Sequence, residues 1–353
     1  MGDTGASVLS KLPNELSVAD HVTNEFHTSN GANRPSFLFH LGDVVYSFGE
    51  SQYYYDQFYE PFRNYPAPIF AVPGNHDSFI IPGTKPADAP LTTFMRNFCS
   101  STPVITKEAG SLHRTAMTQP GVYFVLDAPF VRIIGLFSNS LEDPGLISSQ
   151  KGQATRWPNV PDYQIAFLTA QLKRIKTEKY AGAVIIALHH PPLCYAPQGT
   201  GGASSHHVGN SIMLSQIDSI CQAQGVYPHA FISGHSHNYQ RFTRTISFDG
   251  DDYSVPFIIA GNGGFNVEPL VRPHGGSVAK EPNPGDDVEY LEHSPAVKAE
   301  GLTIDKYDDK HYGYLRISVD SSQLQIDYQP TSPVSPPGKA DSVAVDIANH
   351  SIV

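Results

Sequence analysis

The sequence predicts an α/β fold with several buried strands, not all of them joined by helices. Three observations carry this expectation. Short apolar runs end in turns bounded by Gly or Pro. Stretches of helical periodicity lie between them. Hydrophobic residues make up 40% and charged residues 16% of the 353, a globular balance with enough chain for a sizeable core.

Taken in order, "PSFLFHLGD" and "APIFAVPGNHD" read as buried strands running into turns. "GVYFVLD" and "FVRIIGLFSN" read as a hairpin. "GAVIIALHHPP", "PHAFISGHSH" and "VPFIIAGNGG" repeat the strand-to-turn arrangement of doubly covered strands. In "DYQIAFLTAQLKRI", Ile165, Leu168, Leu172 and Ile175 recur at helical spacing behind Asp162 as N-cap. "SIMLSQIDSICQ" sets Leu214, Ile217 and Cys221 on one helix face. "SQYYYDQFYEPF" reads as a helix laying an aromatic face on the sheet, and "YGYLRISVDSSQLQIDYQP" as a closing hairpin. The expectation is one catalytic domain over residues 1–330 and a Pro/Ser-rich extended tail over 331–353. Residues 266–310, rich in Gly, Pro and acids, read as a long loop over one end of the fold.

A net charge of −11 argues against a nucleic-acid partner. No apolar run is long enough for a transmembrane helix. The 3 cysteines, Cys99, Cys194 and Cys221, form no C-x-x-C pair, which disfavours a cysteine zinc site. One disulfide plus a free thiol, or free thiols throughout, both remain open.

The functional signal is where polar residues fall. Ligand-type side chains occupy five turns: Asp3; Asp43 and Tyr46; Asn75, His76 and Asp77; His189 and His190; His235 and His237. The last four turns each follow an apolar run, and in open α/β sheets sites form beyond the carboxyl ends of strands. One such turn alone reads as a cap or a surface pair. All of them together supply more ligands than one tetrahedral ion takes, and carboxylate, phenolate, amide and imidazole without thiolate suit two first-row metals. Two cations clamp the oxygens of an in-line displacement, and a water between them loses its proton near neutral pH. The substrate that matches is a phosphate ester.

"GDTG", "GDVVY", "GNHD", "LHHPP" and "GHSH", in this order, resemble the signature blocks of the calcineurin-like metallophosphoesterases. The tyrosine of "GDVVY" and the form of "GHSHNYQR" narrow the resemblance to the purple acid phosphatases. It implies a four-layer αββα sandwich of two mixed sheets flanked by helices. It also implies that a central strand precedes the first block. Only Met1 stands before Gly2 here, so the expected sheet lacks its first strand, and localisation is left open for a family that is often secreted. The resemblance further implies that Asp3, Asp43, Tyr46 and His237 hold a ferric ion. Asp43 would bridge to a divalent iron, zinc or manganese ion completed by Asn75, His189 and His235. His76 would touch the phosphate and protonate the leaving alkoxide, and His190 takes no ligand role. Asp77 would steady an imidazole or cap the following helix. His206 and His207 are candidates for a substrate-pocket histidine, or else a loop pair in solvent. The expected activity is that of an acid phosphatase on small phosphorylated substrates. A phosphodiesterase with the same centre and a non-catalytic scaffold are the alternatives.

Overall fold

The computed structural model describes residues 1–6, 12–81, 89–138, 145–149, 160–195, 207, 209–270, 287–290, 297–331 and 339–353. Among the described residues the strands are β1 (Leu38–His40), β2 (Ile69–Ala71), β3 (Phe124–Asp127), β4 (Val131–Leu136), β5 (Ala183–Leu188), β6 (Ala230–Ser233), β7 (Tyr239–Phe248), β8 (Asp251–Ala260), β9 (Asp287–Tyr290), β10 (Val297–Asp308), β11 (Gly313–Val319), β12 (Gln323–Pro330), β13 (Asp341–Asp346) and β14 (Ser351–Ile352). The helices are α1 (Leu12–Thr28), α2 (Asn75–Ser78), α3 (Thr92–Phe98), α4 (Tyr163–Glu178) and α5 (Ser211–Gln224).

An eight-stranded mixed sheet has the order β3-β4-β5-β6-β8-β7-β10-β9. Its β4, β5, β6 and β8 run parallel. The period of two along each strand separates its faces. Val184, Ile186 and Leu188 join Leu168 and Leu172 of α4 and Leu214 and Ile217 of α5 in one core. Ala183, Ile185 and Ala187 face the other way, onto Leu324, Ile326, Val343 and Val345 of the sheet β11-β12-β13-β14. Beyond the parallel pair β1-β2, a third core gathers Leu38 and Ile69 with Val18 and Val22 of α1, Phe94 and Phe98 of α3, and Tyr54, Phe58 and Phe62. Helices, large sheet, smaller sheets and helices thus follow one another as the expected sandwich.

Met1 to Asp3 link the two sheet systems. Leu41 N donates to Met1 O, and Gly2 N donates to Ala260 O, both at 2.9 Å. This segment therefore lies between the ends of β1 and β8.

Four readings change. Residues 341–352 are not a tail: β13 pairs antiparallel with β12, burying Val343 and Val345. The stretch 266–310 is not one long loop, because β10 pairs with β7 from Leu302 to Asp308. The aromatic segment forms a 3-10 turn over Ser51–Tyr53 and a π-turn over Tyr55–Tyr59 rather than a regular helix, although it does bury its rings. Asp162 stands at the N-cap of α4 without a capping hydrogen bond; its carboxylate accepts from Ser148 Oγ instead. Both hairpins form as expected. The cysteines are free. No helix among the described residues is long and apolar enough to cross a membrane.

Candidate metal centre

The turns that follow β1, β2, β5 and β6 converge beneath Asp3. Three donors crowd together at one point: Tyr46 Oη lies 3.0 Å from Asp3 Oδ1 and 3.2 Å from His237 Nε2, and the last two lie 3.5 Å apart. A second group surrounds His189 Nε2, which is 3.0 Å from Asn75 Oδ1, 3.2 Å from His235 Nδ1 and 3.5 Å from Asp43 Oδ2. Donors that share an ion at about 2.0–2.2 Å sit about 3 Å apart when adjacent, so both groups have the spacing of a coordination sphere. Ligand atoms of Asp3, Asp43 and His189 lie within 4.8 Å of one another and join the two groups.

The local backbone is bent to achieve this. Asp3, Asp43 and His235 all take positive φ, at 60°, 53° and 68°, a conformation non-glycine residues avoid and functional sites retain. Gly42 has φ 97°, and a Cβ there would meet Gly74 N at 2.6 Å and His189 Nδ1 at 2.7 Å. Only glycine lets these turns close on each other.

The side chains of both groups are held from behind. His189 Nδ1 donates to Leu41 O at 2.8 Å, which leaves Nε2 as the lone-pair atom of the neutral ring. Asp43 Oδ1 accepts from His76 N at 2.9 Å, and Asp3 Oδ2 from His235 N at 2.8 Å. Tyr46 is stacked on Phe265 at 3.7 Å.

The charge balance asks for cations. Asp3 and Asp43 are buried, yet among the described residues no Lys or Arg pairs with either; their partners are imidazoles. Burial works to raise the Asp43 carboxyl, but His189 and His76 outweigh it and hold the group well below the usual carboxylate range. The same carboxylates, working against burial, push His189 up to about 9. Burial, then Asp3 and Asp43, keeps the Tyr46 phenol protonated well above its ordinary value. A cation among these donors reverses that logic, favouring phenolate and neutral imidazole. The oxygen and nitrogen set, with two carboxylates lacking a permanent counter-charge, fits two metal ions.

Asp3, Asp43, Tyr46, Asn75, His189, His235 and His237 are thus all brought together. His76 flanks them, its ring 4.3 Å from that of Tyr46 and its Nδ1 donating to Ser47 O at 2.8 Å. Of the two readings of Asp77, the structure forms the cap: it closes the capping box of α2 instead of supporting an imidazole. Its Oδ1 accepts from Val44 N and Val45 N at 3.0 and 3.2 Å and its Oδ2 from Gly74 N at 2.8 Å, so it ties two ligand turns together. Burial and then Asp43 push its carboxyl up to about 7. The His207 ring is 4.6 Å from that of His235 and 4.9 Å from that of His237. His206 lies outside the described residues. The His190 ring lies 4.1 Å from that of His235, and one of its nitrogens lies within 4.8 Å of a ligand atom of His189 and of His235.

Sequence reasoning missed several supports. Gln57, Phe265 and Glu268 carry no motif. His40 was available at the end of "FLFH": its Nδ1 accepts from Gly42 N at 3.2 Å and its Nε2 donates to Thr4 Oγ1 at 3.0 Å. Burial above all pushes His40 down to about 3, which keeps it neutral beneath the site.

The chain belongs to the calcineurin-like phosphoesterase family, whose model matches residues 2–239, and the sandwich with a donor cluster at its strand ends is in keeping with that class. That match supports metal-dependent phosphoester hydrolysis, typically with two metals in this family. Among solved structures, the one described as "Structure of PhoD" is 13% identical, with 99% of this chain and 69% of that chain covered and a TM-score of 0.52. At that identity the likeness is one of fold. No curated protein matches the chain.

Proposed function

We propose that this chain hydrolyses phosphate monoesters, as an acid phosphatase of the purple type. The observation that carries the reading is the Tyr46 phenol, 3.0 Å from Asp3 Oδ1 and 3.2 Å from His237 Nε2. A phenolate beside a carboxylate suits a hard trivalent ion. Asp3, Asp43, Tyr46 and His237 would hold ferric iron, and Asp43, Asn75, His189 and His235 a divalent iron, zinc or manganese ion. When bound, such a pair supplies Lewis acidity and lowers the pKa of water.

The chain's own residues orient the reaction. His76 gives its Nδ1–H to Ser47 O, so a proton for the leaving oxygen would come from Nε2 of the doubly protonated imidazolium. This is general acid catalysis, worth ~10²–10⁴-fold. His207, with its ring beside His235 and His237, lies where a hydrogen bond to a phosphate oxygen would fix the ester. His206 is carried as the other candidate for that pocket.

The test is metal analysis combined with hydrolysis of an aryl phosphate and its diester. Two ions per chain, one of them ferric, with monoester turnover well above diester turnover, support the proposal. Preference for the diester makes the protein a phosphodiesterase. Two bound ions without turnover of either ester make it a scaffold.

A further inference from the structure

Glu268 follows the glycine turn after β8 and is latched by its backbone to the turn that carries His237. Glu268 N donates to His237 O at 2.8 Å, and Asn238 Nδ2 donates to Glu268 O at 3.2 Å. A carboxylate merely decorating the surface needs no such anchorage. The side chain lies between two imidazoles: Oε1 is 3.8 Å from His237 Nδ1, and Oε2 is 3.3 Å from His207 Nδ1.

His237 turns Nε2 towards Tyr46 and Asp3. A neutral imidazole that ligates through Nε2 carries its proton on Nδ1. That Nδ1 is buried and makes no hydrogen bond. Ligating histidines almost always give this second proton to a carboxylate, carbonyl or water. The two atoms stand 3.8 Å apart, against about 2.8 Å for a charge-assisted hydrogen bond.

We propose that Glu268 is a positioning residue of the metal centre. Its Oε1 accepts the Nδ1 proton of His237 when an ion is held there, and its Oε2 holds His207 at the mouth of the site. One side chain then sets both metal affinity and the placement of the pocket histidine. The inference rests on the reading of His237 as a metal ligand.

The experiment titrates the full-length metal-free protein with Zn(II) against a chromophoric chelator, for the unaltered chain, Glu268→Gln, Glu268→Asp and His207→Ala. The unaltered chain should bind two ions. Glu268→Gln should weaken one of them about 10–100-fold and leave the other within about threefold. The melting temperature of its metal-free form should not change, since both backbone latches remain. Glu268→Asp should recover part of the loss. His207→Ala should leave both affinities unchanged. If Glu268→Gln binds both ions as tightly as the unaltered chain, Glu268 does not position His237. An equal loss in His207→Ala would also overturn the proposal, because the effect would then run through the pocket. An unaltered chain that binds no ion overturns the metal-centre reading itself.

Discussion

Gln57 grips the peptide unit of Tyr46 from both sides: its Oε1 accepts from Tyr46 N at 2.7 Å and its Nε2 donates to Tyr46 O at 2.6 Å. Both residues are buried, so water cannot replace the contacts. Gln57→Leu leaves a donor and an acceptor unsatisfied at ~1–3 kcal/mol each, and stability should fall by about 2–5 kcal/mol. Urea unfolding measures it; a loss under about 1 kcal/mol would show that Tyr46 finds other partners.

Tyr46→Phe should take the colour out of a ferric-loaded protein. The phenol oxygen is the atom placed among the first group of donors, and phenolate-to-iron charge transfer is the source of the visible band. Iron content should stay above half that of the unaltered protein, because Asp3, Asp43 and His237 remain. A band that survives the substitution removes Tyr46 from the ligand set.

His76→Ala should slow turnover by ~10²–10⁴-fold on alkyl phosphates and by much less on activated aryl phosphates, whose leaving groups need no proton. Metal content should hold, since His76 meets Asp43 through its backbone N–H, which alanine keeps. Equal losses on both substrates would leave His76 a binding role only.

Gly74→Ala tests the close approach of the turns. A Cβ there would fall 2.1 Å from Asp43 Oδ1 and 2.5 Å from Asp43 N. Asp43 is anchored by His76 N and has no slack to retreat. In the proposed bridging role Asp43 would serve both ions, so both affinities should drop by at least about 100-fold. Loss of only one ion would argue against Asp43 as the bridge.

Stability should decline in mild acid through the buried His229 and the half-buried His350, whose rings stack at 3.8 Å. His229 Nδ1 accepts from Val184 N at 2.9 Å, and its Nε2 donates to Ile347 O at 3.0 Å. Burial pushes His229 down to about 4 and His350 to about 3, against about 6.5 when unfolded. Between these values the unfolded chain binds more protons, so stability is full above about pH 6.5 and is lost as the pH falls towards 4. His229 alone accounts for roughly 3 kcal/mol. Denaturant midpoints across this window should fall steeply, and His350→Phe should flatten the slope. Midpoints independent of pH would refute the assignment.

The sequence reveals those parts in which chemistry and periodicity coincide. Four of the five turns follow a mostly apolar strand, so Asp43, Asn75, His189 and His235 stand out as polar residues where an apolar run stops. α4 and α5 announce themselves by Leu168, Leu172, Leu214 and Ile217 recurring at helical spacing. α1 was legible but passed over: its buried residues Glu15, Val18, Ala19 and Val22 keep the period, yet a buried acid masks the stripe. β13 was hidden because "DSVAVD" follows a Pro/Ser-rich stretch, and its alternation makes sense only against β12. Gln57 and Glu268 act through contacts far from any motif. Glu268 reaches His237 across 31 positions by way of the β7–β8 pairing, and nothing short of the folded sheet brings the two together.

The donors of the first group lie at opposite ends of the family-matching span, Asp3 near its start and His237 near its end. An ion held there closes nearly that whole stretch of chain into a ring. Such an ion would bind the folded arrangement and not the unfolded chain, so it would restrain the fold by mass action, with a stabilisation that grows as the logarithm of its concentration over its dissociation constant. The cysteines are free and contribute no such restraint. On the proposed metal centre, a chelator, and not a reductant, is therefore the reagent that would loosen the fold.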